Sequence, residues 1–113
     1  MNDAAIEQEI QAKGLAAPRI TPGHIESVIK AEYWFTAYDA VGAGAPRADE
    51  LKLLTICVLV LRNSFTVTGE SACVSPENYD AALGQKIASQ HARDKIWMLE
   101  GYLLKQELEQ VKK

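Results

Sequence analysis

The segment Arg62 to Asp80, RNSFTVTGESACVSPENYD, decides how this chain folds. It closes an apolar run (LKLLTICVLVL, residues 51–61), turns, runs a second extended stretch, and breaks at Ser75-Pro76 into a long helical pattern. The first run is rich in Leu, Val and Ile with an abrupt polar end, the signature of a strand. Asn63-Ser64 fits a two-residue hairpin turn, which sets Val60 opposite Val67. In that register Leu54, Ile56, Val58 and Val60 share a core face with Val67, Gly69, Ser71 and Cys73. The opposite face (Leu53, Thr55, Cys57, Leu59, Leu61 with Thr66, Thr68, Glu70, Ala72) is too apolar on its first strand to be fully wet. The same register puts Cys57 and Cys73 on opposite faces, which excludes a disulfide between them.

Working outward, Ser75 reads as the N-cap and Pro76 as the first residue of a helix over 76–111. Its apolar stripe begins as Tyr79, Leu83 and Ile87 and shifts sides to Ile96, Leu99 and Leu103, so the helix touches two bodies. On the N-terminal side, Asp3 to Ala12 reads as a short helix ended by Gly14, and Ala16 to Pro18 as a connector. Thr21-Pro22 starts a second helix, expected to run to about Val41 and to stop in the loop around Gly42 to Pro46. Trp34 and Tyr38 then stand off its core stripe, as a subunit contact or a stacking surface for a base. The expectation is one α+β domain over 1–113: an N-terminal helix and connector (1–20), a helix and loop (21–46), an antiparallel β-hairpin (51–74), and one long C-terminal helix (76–111) packed on the hairpin sheet.

Composition narrows the function classes. With 113 residues and 48% apolar content the chain is long enough for one core. The longest apolar run is far short of the ~20 residues of a membrane helix. No secretion signal is read near the start, so the expected compartment is the cytoplasm. Net charge is −3 and the pI near 5.3, which argues against a nucleic-acid duplex as partner. Two cysteines and two histidines (His24, His91) match no metal spacing, and no phosphate loop, dinucleotide fingerprint or nucleophile elbow is present. No cofactor, metal or catalysis is expected.

A binding site is easier to argue. The unpaired N–H groups at the start of the last helix suit a phosphate or a ribose hydroxyl. Phe65 can stack on a base or pack over the hairpin end. Asn78 can read a base edge or cap the helix. Arg62, Arg93 and Lys95 supply charge for a pyrophosphate, although Arg93-Asp94-Lys95 also fits a solvated helical surface.

The blocks LRNSFTVTGESACVSPENYD and, in the helix, LGQKIA and ARDKIWMLEGYLL resemble a family of small tailed-phage proteins that includes the anti-Thoeris cyclic ADP-ribose sponges. The likeness covers about Leu51 to Leu104, with Asn63-Ser64 where the family usually has Asn-Gly. The resemblance implies an oligomer, a dimer or a trimer of dimers. It would capture glycocyclic ADP-ribose made by bacterial TIR proteins, uncleaved, in a pocket completed by a second subunit; some members also hold cyclic oligonucleotides elsewhere. It further implies a ligand set of Arg62, Phe65, Thr66, Asn78, Asp80, Arg93 and Lys95. In that set Phe65 lies on adenine, Asn78 on a base or ribose edge, Asp80 on a ribose hydroxyl, and Arg93 or Lys95 on the pyrophosphate. The competing reading is a phage accessory protein acting through Trp34, Tyr38 and the C-terminal helix.

Overall fold

The computed structural model describes residues 3–112, so residues 1–2 and 113 of the expected span lie outside the described residues. The order is α1 (Asp3–Ala12), α2 (Pro22–Ser27), β1 (Ile29–Thr36), α3 (Ala37–Val41), a 3-10 turn (Asp49–Leu53), β2 (Leu54–Leu61), β3 (Thr66–Ala72), a 3-10 turn (Pro76–Asn78) and α4 (Ala81–Val111). The class is α+β, as expected: an antiparallel sheet in the order β1-β2-β3 with α4 laid across it.

α1 ends as read. Gly14 takes φ 68°. The amide of Leu15 donates to the Ile10 carbonyl and that of Gly14 to Gln11, the double closure of a Schellman cap. Thr21 caps α2 through its hydroxyl, which accepts from the His24 amide at 3.1 Å.

The helix expected from Thr21 to Val41 is corrected: it stops at Ser27 and the chain becomes β1. Residues 29–36 (IKAEYWFT) are mostly β-branched or aromatic, which fits a pleated surface at least as well as a helix face. What decides is β2. Its LTICVLVL is apolar on both faces, and such a strand belongs in the middle of a sheet. β3 pairs along one edge and β1 along the other, with Tyr33 opposite Val58 and Phe35 opposite Ile56.

The hairpin register is corrected as well. The loop has three residues, Arg62 to Ser64, closed by the Leu61 amide on the Phe65 carbonyl at 2.8 Å. Ser64 sits at φ 76° and Asn63 Oδ1 accepts from the Phe65 amide at 3.0 Å. One extra residue moves the pairing by one, so Val60 faces Thr66. Because strand side chains alternate, β2 turns its other face to the core, while Val67 and Gly69 of β3 stay on the core face as expected. Thr55, Cys57, Leu59 and Leu61 are the buried set, and Leu54, Ile56, Val58 and Val60 line the face that α4 leaves uncovered. Cys57 and Cys73 therefore share the α4 side rather than opposing it. Both are free thiols, and Cys57 is paired with Gly69, four residues short of Cys73.

The core is Ile25, Cys57, Leu59, Leu61, Val67, Ala88, Ala92 and Ile96. α4 does not turn the stripe Tyr79, Leu83, Ile87 inward. Its buried residues are Gly84, Ala88, Ala92 and Ile96, at successive i+4 positions. Small residues win there because β3 comes so close: a Cβ on Gly69 would overlap the Ala88 carbonyl oxygen and the Ala92 amide nitrogen. Past Glu100 no residue of α4 is buried. The molecule is accordingly elongated, with a radius of gyration of 17.7 Å against about 13 Å for a compact chain of this length.

Two outcomes test this packing. Gly69→Ala lowers unfolding stability by about 3 kcal/mol or prevents folding, since backbone rather than a flexible side chain must yield. Ser64→Gly raises stability by about 1 kcal/mol by removing the left-handed penalty of a side-chain-bearing residue. Urea denaturation midpoints check both.

Candidate functional site

The sequence-selected residues fall in four places. Asn78 and Asp80 meet at the end of the sheet away from the hairpin. There the chain leaves β3, makes its 3-10 turn at Ser75-Pro76 and enters α4. A pocket of ≈ 300 Å³ opens at this corner, walled by Leu53, Tyr79, Leu83 and Ile87 and lined by Ser71, Cys73, Ser75, Asn78 and Asp80. The helix start is corrected. α4 begins at Ala81 and its N-cap is Asp80, whose Oδ1 accepts from the Leu83 amide at 3.1 Å; Ser75 makes no side-chain cap bond. A carboxylate on the cap occupies the place an anion would take at a helix start. This pocket contains no Lys, Arg or His. It suits neutral groups with hydroxyls and an apolar face, as in a nucleoside, better than a phosphate.

Under this pocket lies a residue that strand parity placed on the wrong face. Thr55 is 3% exposed, and its hydroxyl oxygen is a buried side-chain atom without a hydrogen-bond partner. Gly84 passes directly over it; a Cβ there would come to 2.9 Å from that oxygen. A correct register would have found Thr55 from sequence, because it is the polar member of an otherwise apolar strand face.

Phe65, Thr66 and Lys95 meet at the hairpin end of the same β3–α4 seam, with Val67, Thr68, Met98 and Leu99, around a second opening of ≈ 340 Å³. Phe65 is 55% exposed, so it is not packed under the hairpin. Lys95 makes no ion pair among the described residues. Gly84 and Lys95 are about 17 Å apart at 1.5 Å per helical residue, so a single protomer does not bring Phe65 to Asn78.

Arg62 is apart from both openings. Its Nε donates to the Ser27 carbonyl at 2.6 Å and its amide to Val28 at 2.9 Å, joining the hairpin to the α2–β1 junction. It also lines a small cleft with Val28, Asn63 and Glu100.

Arg93 is corrected from a ligand-facing or solvated cation to an internal clamp. Its Nε and Nη2 donate to the two carboxylate oxygens of Glu26 at 2.7 and 3.0 Å, and its Nη1 donates to Glu32 Oε2 at 2.7 Å and to Ser89. Ser89 Oγ donates to the same Glu32 oxygen at 2.6 Å, and the Cys57 thiol approaches it at 3.6 Å. Arg93 is thereby held in its charged form, chiefly by Glu26. Burial alone would push the Glu32 carboxyl up, but Arg93 and Ser89 hold it below its ordinary range. Burial, with Glu32 beside it, pushes the Cys57 thiol up to about 12, so Cys57 stays protonated and unreactive.

The histidines are structural neighbours of carbonyl and carboxylate groups: His24 Nε2 lies 3.4 Å from Glu100, and His91 Nδ1 lies 2.7 Å from the Glu70 carbonyl oxygen. Among the described residues no group of His, Cys, Asp and Glu is arranged to hold a metal, and no helix is long and apolar enough to cross a membrane. Tyr38 is covered by Arg47, whose guanidinium lies 3.7 Å from the ring centroid, with Lys52 at 4.8 Å. Trp34 is on β1 and Tyr38 on α3, not one helical turn apart.

The clamp gives two measurable consequences. Arg93→Ala costs about 3 kcal/mol, because it strands Glu32 in a half-buried site; chemical denaturation reads this. A carboxyl depressed in the folded state stabilises the fold above its ordinary value of 4.5 and loses that contribution as pH falls below it. Glu32→Gln therefore flattens the acid limb of the stability–pH curve, leaving the part that comes from Glu7, which is depressed by its bond to Arg19.

No curated protein and no solved structure matches the chain. A family model does, over residues 20–108, which span the whole of the sheet, both β3–α4 openings and the Arg93 clamp. The expectation of a small phage protein is thus met: the chain belongs to the phage protein (N4 Gp49/phage Sf6 gene 66) family.

Proposed function

We propose that this phage protein is a signal sponge. It binds cyclic ADP-ribose isomers made by bacterial TIR proteins in the host cytoplasm, leaves their bonds intact, and so starves the Thoeris defence of its signal. The observation that carries this reading is the open corner beside Asn78 and Asp80. An apolar wall, an amide and a carboxylate stand together there without a cation, a set that suits a base and ribose hydroxyls. The complementary half, an exposed ring at Phe65 with Lys95 beside it, lies at the other end of the seam. One protomer thus carries a nucleoside-type half-site and a stacking-and-charge half-site that do not meet.

A second copy completes the site. The sheet face away from α4 carries Tyr33, Phe35, Leu54, Ile56, Val58 and Val60, none of them fully buried. An apolar sheet face of this kind favours self-association. The reading requires a two-fold arrangement in which the hairpin end of one copy, with Phe65 and Lys95, lies against the Asn78 and Asp80 end of its partner. Among the described residues no histidine lines either half, in keeping with capture without turnover. Cyclic di- or trinucleotides are further candidate ligands for the same family of oligomers. The alternative, an accessory factor acting through protein contacts, is favoured by the bare C-terminal part of α4, where Met98, Tyr102 and Leu103 are 72%, 75% and 52% exposed.

The test is direct. The purified protein is incubated with TIR-produced cyclic ADP-ribose, freed of unbound ligand by filtration, and heated. Intact signal in the supernatant is the expected result; a cleaved product makes the protein an enzyme, and no retention favours the accessory factor. Phe65→Ala and Asn78→Ala each weaken capture at least about tenfold, the loss of one good contact, while the oligomer persists. Co-folding the two variants restores capture partially, because mixed dimers regain one intact site; failure to restore it overturns the shared site.

A further inference from the structure

A separate slot lies on the other side of α4, between that helix, α1 and the connector that follows α1. It has a volume of ≈ 350 Å³, within the range of small-ligand pockets. Its apolar walls are Ile6 and Ile10 of α1, Ile20 and Pro22 after it, and the ring of Trp97. Among the described residues its charged lining consists of carboxylates: Asp3, Glu7 and Asp94. Glu7 is engaged by Arg19, which donates to both its oxygens at 2.6 and 2.8 Å. Among the described residues Asp3 and Asp94 are met by neutral donors alone. The Trp97 indole N–H reaches Asp3 at 3.0 Å, and the Gln90 amide reaches Asp94 at 2.9 Å and Asp3 at 3.5 Å.

We propose that this slot binds a small organic cation with a flat apolar body, an aryl-alkyl amine being the simplest form. Charge decides the sign of the ligand. Two carboxylates, each with acceptor positions beyond the bond it already accepts, hold an ammonium and repel an anion. The walls decide its body, since an aromatic ring packs between the isoleucines and Trp97, with the ammonium held by the Asp3 and Asp94 carboxylates beside the indole. α1 supports the same reading. It carries an Ile6/Ile10 stripe yet buries no residue, and Ile6 is 39% exposed; a guest in the slot gives that stripe something to pack on. The Asp3–Trp97 bond ties α1 to α4 across the slot, and a helix of about 10 Å diameter does not enter a space of this size, so the guest is a small molecule rather than a helical segment. The slot shares no residue with the two openings at the β3–α4 seam, so its test is independent of the sponge reading.

Phenethylamine and its acidic counterpart 3-phenylpropionate are titrated into the full-length Trp34→Phe protein, in which Trp97 is the remaining tryptophan. The expected result is a saturable change in Trp97 emission and a rise in melting temperature with millimolar amine, and neither with the acid. Asp94→Asn raises the amine dissociation constant about tenfold, the loss of one charge-assisted bond, and Ile10→Phe, which fills the slot, abolishes the response while circular dichroism stays unchanged. Equal responses to amine and acid, no saturable response to the amine, or a response that survives Ile10→Phe overturns the proposal.

Discussion

Everything in this molecule depends on how closely β3 can approach α4. At Gly69 there is no room for a single methyl group before the strand meets the helix backbone at Ala88 and Ala92. Small residues on both sides bring the helix within contact of the central strand, where Cys57, Leu59 and Leu61 close the core with Ile96 and Ile25. Interiors are packed too densely to absorb even one methylene without a shift. This seam also generates the two openings. Where the spacing is tight, between Gly84 and Ala92, helix and strand seal against each other. Where larger side chains return at Leu83 and Ile87, and again at Met98 and Leu99, they leave room at the ends.

The Arg93 clamp does for orientation what Gly69 does for distance. One guanidinium joins α4 to Glu26 of α2 and Glu32 of β1, elements that precede it by more than sixty residues in the chain. Its planar fork holds several acceptors at once, which a lysine does not. The clamp lies on the β1 side of the sheet and the openings on the β3 side, so the same helix is anchored along one flank and available along the other. That division is why Arg93 is engaged by carboxylates while Lys95, two residues on, is exposed.

The pocket at Asn78 and Asp80 combines apolar walls with hydroxyl, amide and carboxylate groups, and the opening at Phe65 combines them with two threonines and Lys95. In the proposed sponge the separation of those halves ties function to assembly, and the apolar sheet face is the surface offered for it. The slot under α1 belongs to a different chemistry, since its carboxylates select for positive charge where the seam has a single lysine.

Much of the fold was legible in the residues. Asp3–Ala12 with its Gly14 stop, the Thr21-Pro22 start, the β2–β3 hairpin and a long final helix follow from spacing, caps and turn residues, which act locally. The family, too, was readable in the blocks around Asn63 and Arg93. Three things were settled only by tertiary structure, each for a physical reason. Residues 29–36 satisfy both helical and extended patterns, and the need of a two-sided apolar β2 for a second neighbour chose the strand. The hairpin loop could hold two residues or three; Ser64 accepting a left-handed conformation chose three, and alternation then turned the other face of β2 to the core while Val67 and Gly69 of β3 stayed there. Arg93 looks the same in sequence whether it faces a phosphate or a carboxylate, and only the approach of Glu26 and Glu32 from distant segments made it a clamp. Local sequence determined which elements form, and the packing of distant segments decided which faces they bury.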